Sequence, residues 1–211
     1  KKIAGAKLIV VNGLGFEGWL PRLVQSSGSK AKIVTATDGN HGRAVAHFSR
    51  LLGHRATIVI PPGVHPQAVQ AVIDEGAHVV RVQGSYDVAV AHAADLARAP
   101  GHLLVQDTAW EGYQDVPAWI VEGYATMFGE LDAQAQQLGV GQPDLVIVPA
   151  GVGSLLQGAL QHYRSAPHRL ATRVACVEPE TAACVLASVE AGQATAVPTS
   201  TTLMSGLNCG T

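Results

Sequence analysis

Past Lys32 the chain has no lysine. All five, Lys1, Lys2, Lys7, Lys30 and Lys32, lie in the first 32 residues, and from Ile33 to Thr211 the basic side chains are arginine and histidine alone. Charge of either sign is sparse, at 14% of residues, and the formal net charge is −2. The arginines are scattered singly, so no basic stripe could track a nucleic-acid backbone. No apolar run approaches the roughly 20 residues that span a bilayer. The lysine-bearing N-terminus also lacks the cleavage pattern of a secretory signal. The expectation is a cytoplasmic protein with neither nucleic acid nor membrane as partner. Cysteine is scarce too. Cys176, Cys184 and Cys209 are an odd number without CxxC spacing, which supports neither a disulfide framework nor a zinc site. They read as small core residues with one near the surface, and no metal is expected.

What is present is a chain of 211 residues, 47% hydrophobic, ample for a buried core. Its apolar runs alternate with helical patterns, which is the signature of an α/β protein with parallel sheet flanked by helices in three layers. Strands are predicted at Leu8 to Val11, Ile33 to Thr37, Thr57 to Ile60, His78 to Val82, Leu103 to Gln106, Leu145 to Val148 and Arg173 to Val177. Most are short and rich in Val, Ile and Leu, as strands buried on both faces should be. Between them, Val45, Phe48, Leu51 and Leu52 share one helical face, as do Val69, Val72 and Ile73. Pro66 suits a first turn and Gly76 a C′ position. Further helices are predicted over Ser85 to Arg98, Pro117 to Leu138, Ser154 to Arg164 and Thr181 to Ala191. Residues 32–116 read as a small α/β lobe and 117–211 as part of a second. The tail from Gly192 lacks periodicity, and the expectation is that something normally follows it.

In an open parallel sheet, ligands sit beyond the carboxyl ends of the strands, and three unusual loops fall there. Asp38-Gly39-Asn40-His41-Gly42 follows a strand and opens a helix. Asp38 offers an acid/base and Asn40 an amide, although either could simply be an N-cap. Gly151-Val152-Gly153-Ser154 also lies between a strand and a helix. Backbone N–H groups at a helix N-terminus, freed of side chains by glycine, suit a phosphate. The loop has neither the GK[ST] ending of a nucleotide P-loop nor the third glycine of a dinucleotide fingerprint. Gln106 to Tyr113, "QDTAWEGY", crowds polar and aromatic residues into one turn, and a pocket wall explains its Trp and Tyr better than a solvated turn does.

Together "ATDGNHGRAVA", "QDTAWEGY", "AGVGS", "VEPE" and "MSGLNCG" resemble diaminopropionate ammonia-lyase, a member of the tryptophan synthase beta-like, fold type II pyridoxal phosphate enzymes. The resemblance covers residues 33–211. It implies elimination of ammonia from 2,3-diaminopropionate, leaving pyruvate and a second ammonia, with pyridoxal phosphate as cofactor. By the same resemblance Asn40 would hydrogen-bond the cofactor's phenolic oxygen and Gly151, Val152, Gly153 and Ser154 would hold its phosphate. Asp38 and Asp107 would be an acid/base pair on opposite sides of the substrate carbon. Two carboxylates so placed could take a proton from either enantiomer. Residues 1–31 instead resemble a strand-helix unit of metal-binding solute proteins of transporters, through "NGLGFEGWL", without the histidines that bind metal there. With the lysine break, this suggests a chimera whose first unit packs in the same sheet.

The family anchors its cofactor on a lysine upstream of the DGNHGR block. Lys32 opens a strand, roughly 16 Å along it from the carboxyl edge, and none of the other four stands in the Phe-Lys-x-x-Gly-Gly setting the family uses. The resemblance also implies a further C-terminal segment beyond Thr211, and the expectation is that this polypeptide lacks it. Two readings result: a pyridoxal phosphate lyase by ancestry, and a non-catalytic α/β scaffold that keeps at most phosphate or cofactor binding, the latter expected for this polypeptide. A generic phosphate or nucleotide binder is a third. The expected ligand is a small amino acid or phosphate, and an oligomer is compatible with the sequence.

Overall fold

The computed structural model describes residues 31–37, 39–165 and 172–210. It divides into two compact units, the first ending at Gln106 and the second opening at Asp107. The strand and helix expected within residues 1–31 lie outside the described residues.

The first unit is a four-stranded sheet in the order β3-β2-β1-β4, with β1 Lys32–Ala36, β2 Arg55–Ile60, β3 His78–Arg81 and β4 His102–Leu104. Every pairing is parallel. Helices α1 (Asn40–Leu51), α2 (Pro66–Asp74) and α3 (Tyr86–Leu96) connect the strands. Side chains alternate across a strand, and both faces here are apolar. Ile33, Ile58 and Ile60 pack with Val45, Ala46, Val69 and Val72 of α1 and α2, while Val34, Ala36 and Val59 pack with Ala89 and Ala93 of α3. Each fully buried Val or Ile contributes about 1.5–3 kcal/mol.

Local signals set the helix boundaries. Pro66 stands at the start of α2, His65 accepts from Gln67 N–H at its N-cap, and Gly76 follows its end with φ +81°, a backbone that favours glycine. Two helical faces differ in part from the sequence expectation: in α2 Val69 and Val72 are buried but Ile73 is exposed. In α1 the buried stripe is Gly42, Val45, Ala46 and Ser49, while Phe48 and Leu51 are exposed. The helix lies so close to the sheet that small residues must face it: a Cβ on Gly42 would collide with the Thr37 side chain and lie 3.0 Å from Ile58 Cγ2.

The second unit pairs β5 (Leu145–Pro149) with β6 (Arg173–Val177) in parallel. Helices α4 (Asp115–Gln137) and α5 (Ser154–Arg164) bury Phe128, Leu156, Ala159 and Tyr163 with Val148. The two helices approach closely at Gly158, where an added Cβ would lie 2.8 Å from Tyr124 Cβ. The helix predicted over Thr181 to Ala191 is instead a 3₁₀ turn, Glu180–Ala182, followed by α6, Cys184–Ala191. The Glu178 carboxylate fixes that start by accepting from Val185 N–H at 2.8 Å and Leu186 N–H at 2.9 Å. A carboxylate at a helix N-terminus is favoured by the unpaired N–H groups there. The aperiodic tail is tied down by Ser200 N–H to Thr181 O and Val197 N–H to Gly210 O.

Candidate functional site

In the first unit the carboxyl end of β1 leads into the DGNHGR segment. Asp38 lies outside the described residues. The N-cap of α1 is Gly39, with no side-chain cap of its own. Thr37 Oγ1 takes that part by accepting from Gly39 N–H and Gly42 N–H, each at 3.0 Å. Asn40, exposed in the first turn, is therefore not used as a cap.

Behind this loop lies a buried polar network that the sequence did not announce. Gln106 is fully buried, and its Oε1 accepts from Ala36 N–H at 2.9 Å and Thr35 Oγ1 at 3.0 Å, while its Nε2 donates to Tyr86 OH at 2.9 Å. Ala36 N–H can only donate, which fixes the orientation of the amide. His41 Nε2 lies 2.8 Å from Val105 O and 3.1 Å from Thr35 Oγ1. A carbonyl only accepts, so that nitrogen carries a proton. The network clamps α1 to β1 and to the chain after β4. The one signal for it was a glutamine directly after the apolar run Leu103 to Val105.

The glycine loop belongs to the second unit, between β5 and α5. Gly153 is the N-cap of α5 at φ +86°, a left-handed position, and no side chain caps the helix. The first-turn N–H groups of Ser154 and its neighbours thus have no side-chain cap, and the helix dipole there favours an anion. Gly151 is backed by the tail: a Cβ there would lie 3.3 Å from both Cys209 Sγ and Leu207 Cα. The Ser154 side chain turns away from the helix end and donates to the Asp107 backbone carbonyl at 2.7 Å. This brings Asp107, half-buried, to the glycine loop. Burial, together with the negative charge of Asp107, pushes the Tyr124 phenol above its ordinary pKa.

Within the turn expected as a pocket wall, Trp110 and Tyr113 exchange backbone hydrogen bonds at 3.2 and 2.9 Å and stack their rings at 4.4 Å. Cys184 and Cys209 are buried, Cys176 is exposed, and all three are free thiols. Among the described residues no group of three His, Cys, Asp or Glu could hold a metal ion, and no helix is long and apolar enough to cross a membrane.

A phosphate-bearing group fits the residues present. The glycine loop offers uncapped donors, and Thr108 Oγ1 and Asn208 Oδ1, in segments touching that loop, are buried without a hydrogen-bond partner among the described residues. Orphaned polar atoms of this kind cost about 1–3 kcal/mol each, and a polar ligand would satisfy them.

The model of one protein family, described as pyridoxal-phosphate dependent enzyme, matches residues 6–211. The chain belongs to that family. Diaminopropionate ammonia-lyase of Escherichia coli K12 is 37% identical over 203 residues, covering 95% of this chain and 49% of the relative. The crystal structure of the E. coli enzyme in complex with D-serine superposes with a TM-score of 0.81 at 36% identity, over 90% of this chain and 47% of that one. A fungal L-serine ammonia-lyase from Rhizomucor miehei, at 24% identity and a TM-score of 0.74, shares the fold. The chain spans about half the length of the curated relatives it matches. Enzymes of this family depend on pyridoxal phosphate. The family match runs through most of the segment likened above to a transporter protein, so the expectation of a chimera has no support in these comparisons.

Proposed function

We propose that the protein is a pyridoxal-phosphate dependent lyase whose substrate is 2,3-diaminopropionate, converted with water to pyruvate and two ammonia. When bound, pyridoxal phosphate withdraws electrons from the amino acid's Cα, so that the Cα proton and the β-amino group can leave. The backbone N–H groups of Gly151, Val152, Gly153 and Ser154 hold the phosphate dianion at the start of α5. Asn40, released from capping by Thr37, donates its amide to the cofactor's ring oxygen. Asp38 and Asp107 take and return protons on the two faces of the substrate carbon. The glycine loop carries this reading, because its uncapped helix end has no structural use for the donors it exposes.

The 211 residues by themselves bind without turnover in this reading. Lys32, the one lysine among the described residues, opens β1 at its amino end, roughly 16 Å along the strand from Thr37. The test is to incubate the chain with pyridoxal phosphate, reduce with borohydride, digest, and locate the label by mass. Sparse label over several lysines, stoichiometric noncovalent binding displaced by phosphate, and no ammonia released from 2,3-diaminopropionate are expected. Stoichiometric label on one lysine with ammonia release overturns the inactive reading. Failure of pyridoxal phosphate to bind, or binding unaffected by Gly153→Ala, overturns the cradle.

A further inference from the structure

We infer that Ser154 is a positioning residue, whose hydroxyl ties the backbone of Asp107 to the glycine loop and so links the state of the anion site to the setting of that carboxylate. The inference rests on the proposed function for Asp107 as an acid/base, but the tie itself is a feature of this structure. Helix α5 is left without a side-chain cap, and the hydroxyl gives its only proton to the Asp107 carbonyl at 2.7 Å. Once that proton is committed, the Ser154 side chain has none to offer a phosphate, and only its backbone N–H remains for that purpose.

The hydroxyl end of the bond is sheltered. Ser154 is 7% exposed, so water competes poorly for its proton, while Asp107 is half-buried. Gly153, at φ +86°, sets the direction in which Ser154 leaves the loop. A shift of the loop on binding an anion is therefore passed to Asp107, the second residue of the QDTAWEGY turn. Asp107 has a reporter on a different element. Tyr124 of α4 packs against the core beneath α5, and its phenol is held above its ordinary value by burial and by the charge of Asp107.

The experiment compares the full chain with its Ser154→Ala, Ser154→Thr and Tyr124→Phe variants. The phenol titration is followed by ultraviolet difference absorbance, with the Tyr124 contribution taken by subtraction of Tyr124→Phe. Affinity for inorganic phosphate is measured by calorimetry. Ser154→Ala is expected to move the Tyr124 titration toward its ordinary value as Asp107 loses its fixed place, and Ser154→Thr to restore it. Phosphate affinity should change less than about twofold in Ser154→Ala, since the loop's donors are backbone groups. In the parent, phosphate should shift the Tyr124 titration, and in Ser154→Ala that response should be lost. An unmoved Tyr124 titration in Ser154→Ala overturns the tie, and so does a loss of phosphate affinity above about fivefold, which would make the hydroxyl a direct ligand. Should the parent bind no phosphate while Ser154→Ala still shifts Tyr124, the tie stands and the cradle reading falls.

Discussion

Both faces of the first sheet are covered, Ile33, Ile58 and Ile60 by α1 and α2 and Val34, Ala36 and Val59 by α3. In the second unit the parallel register puts Leu145, Ile147 and Val177 on one side of β5–β6, where they are 45%, 61% and 44% exposed, while Val146, Val148 and Val174 on the other side meet α4 and α5. The central strands β1 and β2 are thus buried on both faces, while β5 and β6, of almost the same composition, are covered on one. Strand composition reports β-structure and apolar surroundings but not how many layers supply them.

The largest expected effect tests that contrast directly. Ile58→Ala removes a side chain sealed on every side and should cost about 2–5 kcal/mol, whereas Ile147→Ala should cost less than about 1 kcal/mol because its site is open. Denaturant unfolding measures both, and equal losses would mean that the second sheet is as buried as the first. Next, Gln106→Leu leaves Ala36 N–H and Tyr86 OH without their partner and should cost about 1–3 kcal/mol. Amide exchange should rise at Ala36, and protection there equal to the parent's would refute the clamp.

Helix contacts give a comparison within the second unit. Gly158→Ala presses a methyl onto Tyr124 and should cost about 1–3 kcal/mol. Gly123→Ala, with nothing within 4 Å, should stabilise by up to about 1 kcal/mol through helix propensity alone. Matching signs in thermal unfolding would contradict the close approach of α4 and α5.

Two pH effects are smaller. The Tyr163 phenol, fully buried, is pushed up to about 12 by burial and by Asp132. A raised pKa means the folded chain holds that proton more tightly than the unfolded one. Stability is therefore complete below the ordinary value of 10.0 and is lost as pH rises from there toward about 12. Tyr163→Phe should flatten that decline in alkaline denaturation curves. Glu75, accepting from Arg50 and His47, titrates below the ordinary carboxylate value of 4.5. Its contribution is present above that value and fades as pH falls through the lowered one, so Glu75→Gln should slightly reduce the acid dependence of the first unit's unfolding.

Periodicity and turn chemistry were enough to locate the strands from Ile33 onward to within a residue or two and to place Pro66 and Gly76 at the ends of α2, because those signals act through the local backbone. The motif segments likewise marked the glycine loop and Asp107, and their order pointed to the family that the comparisons bear out. Other features needed partners distant in sequence. That α1 shows Gly42, Val45, Ala46 and Ser49 to the sheet, and not Phe48, depends on how near Thr37 and Ile58 stand to the helix axis. The burial of Gln106 depends on Ala36 and Tyr86, 70 and 20 residues away. The choice of Glu178 as the cap of α6, and of Asp107 as the partner of the Ser154 hydroxyl, was equally a matter of tertiary structure. The sequence by itself determined where the chain turns and which segments carry polar chemistry, since propensity and periodicity are properties of neighbours along the chain. Only the tertiary structure decided which polar groups face inward and with whom they pair, because a buried hydrogen bond is selected by the partner that packing brings within reach.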